Sequence, residues 1–400
     1  MQRTLPTLQI NPLKDFKPVY VVLLCFFFVV VFFAALAGNN HVLDECYYTY
    51  SAVDSVHGVA SNIEHPPLVK LLMGASIAVI GDYWLGWRLV SIVSGLVSVA
   101  FVYLIGRQFF SERLATFCAG LCCLSLVFVF LGSFGMLDMP CLAFGLTGLY
   151  AALKSRYVVG GLLFGLSFLC KELAVLMFLV TLVYLFYLKV SWRKLFVFGG
   201  VGVAVAFIGV WIYDLIYMPV AGGFLITNPL DHFWLMVVWQ LNLNGVRAPV
   251  SSMWFPPLGW VSPFGANALN PLSWLWGKDV AGNLLFSFRC VSSPFVEWLT
   301  FPLLAALPVV WWFKKNSAAL LCWLWVGASF LPWLLAGFFV RMEANFYIGF
   351  AVPFIALGCG CLYSQIKSRR LKYALAITQL VGGIVFFLLY FPIPLFGGLV

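Results

Sequence analysis

The sequence predicts an all-α polytopic membrane protein, with about eleven transmembrane helices in one domain over residues 1–400. Composition is the first observation behind this. Of 400 residues, 63% are hydrophobic and only 9% charged, whereas soluble domains carry about 45–50% apolar and ~25% charged residues. A water-soluble globule of this size cannot hide so much apolar surface. That excludes a cytosolic enzyme, a disordered chain and a secreted disulfide scaffold. The second observation is a series of apolar runs of spanning length, and the third is the placement of the basic residues between them.

A bilayer core is crossed by ~20 apolar residues. Runs near that length lie at 18–37, 84–105, 114–131, 136–153, 157–171, 172–188, 195–218, 298–313, 317–339, 345–363 and 373–390. The first reads as an anchor. Ala35-Leu36-Ala37 also resembles a signal cleavage site, but a signal core is shorter than this run. The fifth and sixth runs are short and parted only by Lys171-Glu172, so they form a tight hairpin or a broken pair. Within them, Gly161 and Gly165 have a helix-packing spacing. Gly200-Val201-Gly202 lies inside an apolar run rather than at a strand–helix turn, so it is no nucleotide fingerprint.

With a cytoplasmic N-terminus, the inner segments carry Arg3, Lys14 and Lys17; Arg107 and Arg113; Lys154 and Arg156; Lys189, Arg193 and Lys194; Lys314 and Lys315; and Lys367, Arg369, Arg370 and Lys372. The only acids on that side are Asp15 and Glu112. This is a consistent positive-inside pattern. The net charge of +9 therefore reports sidedness and implies no nucleic-acid partner. Most of the 11 cysteines lie in apolar runs, where Cys acts as a small hydrophobe. No spacing suggests zinc. Cys46 and Cys290, in outer loops, could pair.

Two outer segments exceed turn length: 38–83 after the first run and 219–297 after the seventh. Long segments of this kind are usually functional, and the polar chemistry concentrates there. Residues 45–57 can form a short helix ending at Gly58. Asp44 then sits at its N-cap, where Asp is favoured for structural reasons alone. Pro66-Pro67 fits the start of a second helix over 68–80, too short to span and suited to the interface. Lys70, one turn in, either snorkels toward headgroups or holds an anionic lipid head. Together the segment offers paired carboxylates and a cation at headgroup depth. Transfer on a lipid phosphate needs these parts: a base for the attacking hydroxyl and cations for the leaving phosphate.

At these residues the sequence resembles the GT-C superfamily of integral-membrane glycosyltransferases, and is most similar to the protein O-mannosyltransferases and the related lipid A aminoarabinose transferases. The matching pieces are Asp44-Glu45, His65-Pro66-Pro67-Leu68-Val69-Lys70, Trp87-Arg88-Leu89-Val90-Ser91 with Gly95, Met136-Leu137-Asp138-Met139-Pro140, and Lys171 after Gly165-Leu166-Ser167. Arg341, Phe346-Tyr347 and Pro353 match a later pattern, and Tyr390-Phe391-Pro392 does so loosely. The resemblance implies the GT-C fold, a polyprenyl-phosphate sugar donor, mannose first among the sugars, and an inverting displacement at an outward-facing site. It implies Asp44 as the catalytic base with Glu45 as the second acid. His65, Lys70, Arg88, Asp138, Lys171, Arg341 and Tyr347 become candidates for holding the donor phosphate or ordering the site. The implied acceptor is a protein Ser/Thr hydroxyl, with a lipid or glycan as the alternative. The loop at 219–297 echoes the family only loosely.

The bland readings stand beside these. Arg88, inside a span, pairs with an acid such as Asp44, Asp138 or Glu343, or binds phosphate. Lys171 and Glu172 pair locally at their turn. Arg341 and Glu343 lie on a short outer turn near Tyr347. Trp234, Trp239, Trp254, Trp260, Trp274 and Trp276 form an interfacial belt or a sugar platform. His232 is a satisfied structural residue or a site group. No cofactor is expected and no metal site is evident, although an outer carboxylate cluster could take a divalent cation. The competing function is a lipid or solute transporter. That would place ionisable residues at the midplane and show repeated halves, and neither is visible.

Overall fold

The structure, a computed structural model, describes residues 17–42, 44–221, 224–226, 228–242, 274–278, 284–289, 292–338 and 345–390. Helices fill the apolar runs because in a lipid-like interior every backbone N–H and C=O must find its partner within the segment. In order they are α1 (Lys17–Ala37), α2 (Glu45–Val56), α3 (Leu68–Ile80), α4 (Trp84–Gly106), α5 (Glu112–Cys123), α6 (Leu126–Ser133), α7 (Asp138–Leu153), α8 (Tyr157–Cys170), α9 (Ala174–Tyr187), α10 (Trp192–Tyr217) and α11 (Pro229–Asn242). After the second long segment come α12 (Thr300–Lys314), α13 (Ser317–Phe338), α14 (Val352–Gln365) and α15 (Arg369–Tyr390). Among the described residues, four helical stretches are long and apolar enough to cross a membrane: Pro18–Ala37, Trp84–Gly106, Trp192–Tyr217 and Arg369–Leu389. The α5–α6 pair, bent by 72°, would make a fifth.

Two short antiparallel hairpins depart from the all-α expectation. Both lie in the segment expected as the second outer loop. β1 (Val220–Ala221) pairs with β2 (Phe224–Leu225), and β3 (Trp274–Lys278) pairs with β4 (Leu284–Arg289) with Trp274 opposite Arg289. Aromatic and branched residues favour extended pairing, and the amphipathic period of a helix is missing there. Cys290, and with it any pairing to Cys46, lies outside the described residues. So do Trp254 and Trp260.

The chain divides into two compact units. One comprises residues 31–98 and 131–246 and carries the candidate site. In it α8 lies flush on α10. A Cβ on Gly161 would fall 2.4 Å from the Phe198 carbonyl oxygen, so only glycine permits that approach. The pair read as a packing spacing serves that purpose. The α2–α3 hairpin closes the same way: a Cβ on Gly74 would sit 2.8 Å from the Ala52 carbonyl. The outward faces of α8, α9 and α10 stay apolar, with Leu162, Leu179, Phe196, Val203 and Leu215 exposed, as lipid contact requires.

The other unit comprises residues 1–30, 99–130 and 247–400. Here the run 114–131, read as one span, breaks at Leu124-Ser125. No proline or glycine sits at the break. Instead Ser125 Oγ accepts the Phe128 N–H at 3.0 Å and caps α6. The same hydroxyl donates to the buried Glu297 carboxylate, which also accepts the Ser293 N–H at 2.7 Å. A capping serine thus starts a new helix where hydropathy sees one continuous run.

Candidate active site

Asp44 stands at the N-cap of α2 with helical backbone angles (φ −67°, ψ −7°), and its side chain makes no capping bond. Among the described residues, no hydrogen bond reaches its carboxylate. The capping explanation for this acid therefore fails, and its oxygens remain available. Burial raises its pKa above the ordinary carboxylate range; Lys171 and His65 oppose that rise, and Asp138 adds to it. These three residues are the charged surroundings of Asp44.

Glu45, one residue on, points about 100° away around the helix and is fully buried. Its Oε1 accepts from Arg88 Nε (2.8 Å) and the Gly135 N–H (2.7 Å). Its Oε2 accepts from Arg88 Nη2 (2.7 Å) and the Val42 N–H (3.0 Å). Arg88 is equally saturated. Nη1 donates to the carbonyls of Ala34 (2.7 Å) and Gly38 (2.8 Å), and Nη2 donates also to Asn40 (2.7 Å). All five guanidinium hydrogens are spent. The orphan carbonyls at the C-terminus of α1 are satisfied in the process. Two sequence expectations change here. Glu45 has no lone pair left for a substrate, and Arg88 has no donor left for a phosphate and pairs with none of the acids expected for it. Together they fix the two chain segments flanking Asp44.

Two further pairs surround the site. Lys171, in extended backbone after α8, donates to both oxygens of the buried Asp138 at 2.8 and 2.9 Å. His65 Nδ1 lies 3.3 Å from Glu172 Oε2. The local Lys171–Glu172 pairing expected from sequence does not form. Lys171 is extended and Glu172 begins a turn, so the two side chains diverge and each finds a partner in another element. Lys70 is also corrected. It neither snorkels nor reaches outward: it is buried, and its ammonium donates to the carbonyls of Asn62 and, at 2.9 Å, His65. Burial pulls its pKa down to about 7, with Glu64 and Glu172 opposing.

The structure therefore brings Asp44, Glu45, His65, Lys70, Arg88, Asp138 and Lys171 into one unit. Arg341 and Glu343 lie outside the described residues. Tyr347, in the 3-10 turn Asn345–Phe350, belongs to the other unit. Among the described residues, no group of three or more His, Cys, Asp or Glu side chains is placed to hold a metal ion. Sequence reading missed Glu172 as the partner of His65 and the Gly135 N–H as a ligand of Glu45. It also did not identify a cavity of about 450 Å³ lined by Phe168, Glu172, Val203, Ala206, Phe207, Phe233, Met236 and Val237. Its walls are apolar, and Glu172 is its one charged residue.

Residues 64–213 match the family model described as dolichyl-phosphate-mannose-protein mannosyltransferase. That stretch takes in His65 to Lys171 and begins after the acid pair. The polyprenol-phosphate-mannose–protein mannosyltransferase of Corynebacterium glutamicum is 24% identical, over 91% of this chain and 86% of that one. The Saccharomyces cerevisiae protein O-mannosyltransferase Pmt1-Pmt2 complex bound to the sugar donor superposes with a TM-score of 0.72 at 12% identity, over 94% of this chain and 90% of that one. ArnT from Cupriavidus metallidurans bound to undecaprenyl phosphate does so with a TM-score of 0.55 at 18% identity, over 92% of this chain and 63% of that one. The chain is a helical membrane protein that shares the fold of these two structures and is similar in sequence to the dolichyl-phosphate-mannose-protein mannosyltransferases.

Proposed function

We propose that the protein transfers mannose from a polyprenyl-phosphate donor to a protein Ser/Thr hydroxyl at the extracytoplasmic membrane face. The observation that carries this reading is the Asp44 carboxylate, partly buried and free of hydrogen bonds among the described residues, in a frame of mutually satisfied ion pairs. In the reaction the acceptor oxygen attacks the anomeric carbon as the carbon–oxygen bond to phosphate breaks. The bonding pair leaves with the phosphate, and the hydroxyl proton passes to Asp44. A single displacement of this kind inverts the anomeric centre. Burial makes Asp44 a stronger base than an exposed carboxylate. Lys171 and His65, which oppose the burial-driven rise of the Asp44 pKa, are the groups we assign to the leaving phosphate. Glu45, Arg88, Asp138 and Lys70 order the site.

The apolar cavity beside Glu172 suits the first isoprene units of a lipid tail whose phosphate lies near His65. The donor is already activated, so no nucleotide or other cofactor is needed. The membrane topology we infer keeps the N-terminus cytoplasmic and counts eleven spans, with α8 and α9 as a hairpin turning at Lys171-Glu172. This rests on the uniform basic character of the inner segments. The test is incubation of purified protein in liposomes with radiolabelled polyprenyl-phosphate mannose and a Ser/Thr-rich acceptor peptide. Label in the peptide, lost on β-elimination, supports the reading. Label only in lipid or glycan overturns the protein acceptor, and no label anywhere overturns the transfer.

A further inference from the structure

Among the described residues of this unit, His232 and Asp214 are the one buried, tightly bonded titratable pair that the proposed reaction does not use. Asp214 lies in the last turn of α10 and His232 in the first turn of α11. Both are buried, with exposures of 2% and 0%. His232 Nδ1 lies 2.6 Å from Asp214 Oδ1, and Nε2 lies 2.8 Å from the Ile63 carbonyl oxygen. A carbonyl only accepts, so Nε2 carries a hydrogen. A carboxylate oxygen 2.6 Å from Nδ1 needs a second hydrogen between them, because two facing lone pairs would repel. Asp214 Oδ2 is buried with no hydrogen-bond partner among the described residues.

The contact to Ile63 falls on a turn that the site depends on. Asn62 takes a left-handed φ of +50°, a conformation that costs a non-glycine residue energy and needs support from its surroundings. Lys70 holds the Asn62 and His65 carbonyls, and His232 holds that of Ile63. The turn ends at His65, which Glu172 orients and whose charge acts on Asp44.

We propose that His232 is a positioning residue, oriented by Asp214 and latching the 62–65 turn through the Ile63 carbonyl in the geometry that presents His65 to the active site. The other titratable groups around it are few. The Tyr213 ring lies 6.1 Å from the imidazole and Tyr217 stacks on Tyr213. Asp231 is its neighbour on α11, and Glu64, His65 and Lys70 lie on or against the latched turn.

Asp214→Asn is the informative change. Its amide can donate to Nδ1 of a neutral imidazole, so Nε2–H still holds Ile63 and no extra proton is needed. Melting of the detergent-purified protein should stay close to wild type in Asp214→Asn and fall in Asp214→Leu, which strands the buried Nδ1. That readout does not need mannosyl transfer, on which the role in positioning does rest. In the transfer assay Asp214→Asn should stay active. His232→Leu should lower kcat by on the order of 10-fold or more, and His232→Gln, which can still donate to Ile63, should recover part of it. Wild-type transfer by His232→Leu, or a melting loss in Asp214→Asn as large as that in Asp214→Leu, overturns the proposal.

Discussion

Replacing Glu45 with glutamine removes a charge and keeps the shape. Each carboxylate oxygen accepts two donors: Oε1 takes Arg88 Nε and Gly135 N, and Oε2 takes Arg88 Nη2 and Val42 N. A glutamine has one acceptor oxygen, so either orientation turns its NH2 toward two donors. Each stranded buried group costs about 1–3 kcal/mol, and breaking a buried pair from one side costs about 3–5 kcal/mol. The two estimates agree on a loss near 3–5 kcal/mol for Glu45→Gln. Arg88→Met should cost at least as much, since it also strands the carbonyls of Ala34, Gly38 and Asn40. The double variant buries neither charge, so it should lose less than the sum of the singles by about 2 kcal/mol. The assay is denaturation of the purified protein beside initial rates of transfer below the melting point. If Glu45→Gln melts like the wild type and yet transfers nothing, then Glu45 is a reacting group and the ordering role argued from its four contacts is wrong.

The remaining predictions share these assays. Lys171→Met strands the buried Asp138 carboxylate and should cost about 3–5 kcal/mol; adding Asp138→Asn should recover part of the stability but not the transfer activity, and full recovery of transfer would remove Lys171 from the site. Gly135→Ala places a Cβ 3.0 Å from Met73 Cε and 3.2 Å from Glu45 Oε1, so it should lose about 1–3 kcal/mol by overpacking, and wild-type melting would mean that the segment has slack. Burial raises the Asp44 pKa and only the ionised form accepts a proton. Hence kcat/KM should fall on acidification at a pH above the ordinary carboxylate value of ~3.9. A limb at or below that value would place Asp44 in open water.

Much of the local structure was legible because it is written locally. Pro66-Pro67 and Gly58 frame α2 and α3 where they fall, and hydropathy finds the helices. The partners of the charges were not legible. Glu45 reaches Arg88 and Asp138 reaches Lys171, each from a different helix, and Glu172 meets His65 across more than a hundred positions. Periodicity says which face of a helix a residue occupies and nothing about what faces it. One signal was available: consecutive residues on a helix diverge by about 100°, so Asp44 and Glu45 could not both face a substrate. The break at Ser125 was hidden for a different reason. A capping serine between two apolar stretches barely lowers their mean hydropathy.

The most direct test of the account is the rate of mannose transfer by Asp44→Asn, measured with the same purified preparation whose melting and donor binding are recorded. The side chain makes no hydrogen bond among the described residues, so the substitution should leave melting unchanged and donor affinity close to wild type, while kcat falls ~10²-fold or more. Transfer at the wild-type rate, or a loss matched by a collapse in melting temperature, would contradict the assignment of Asp44 as the base.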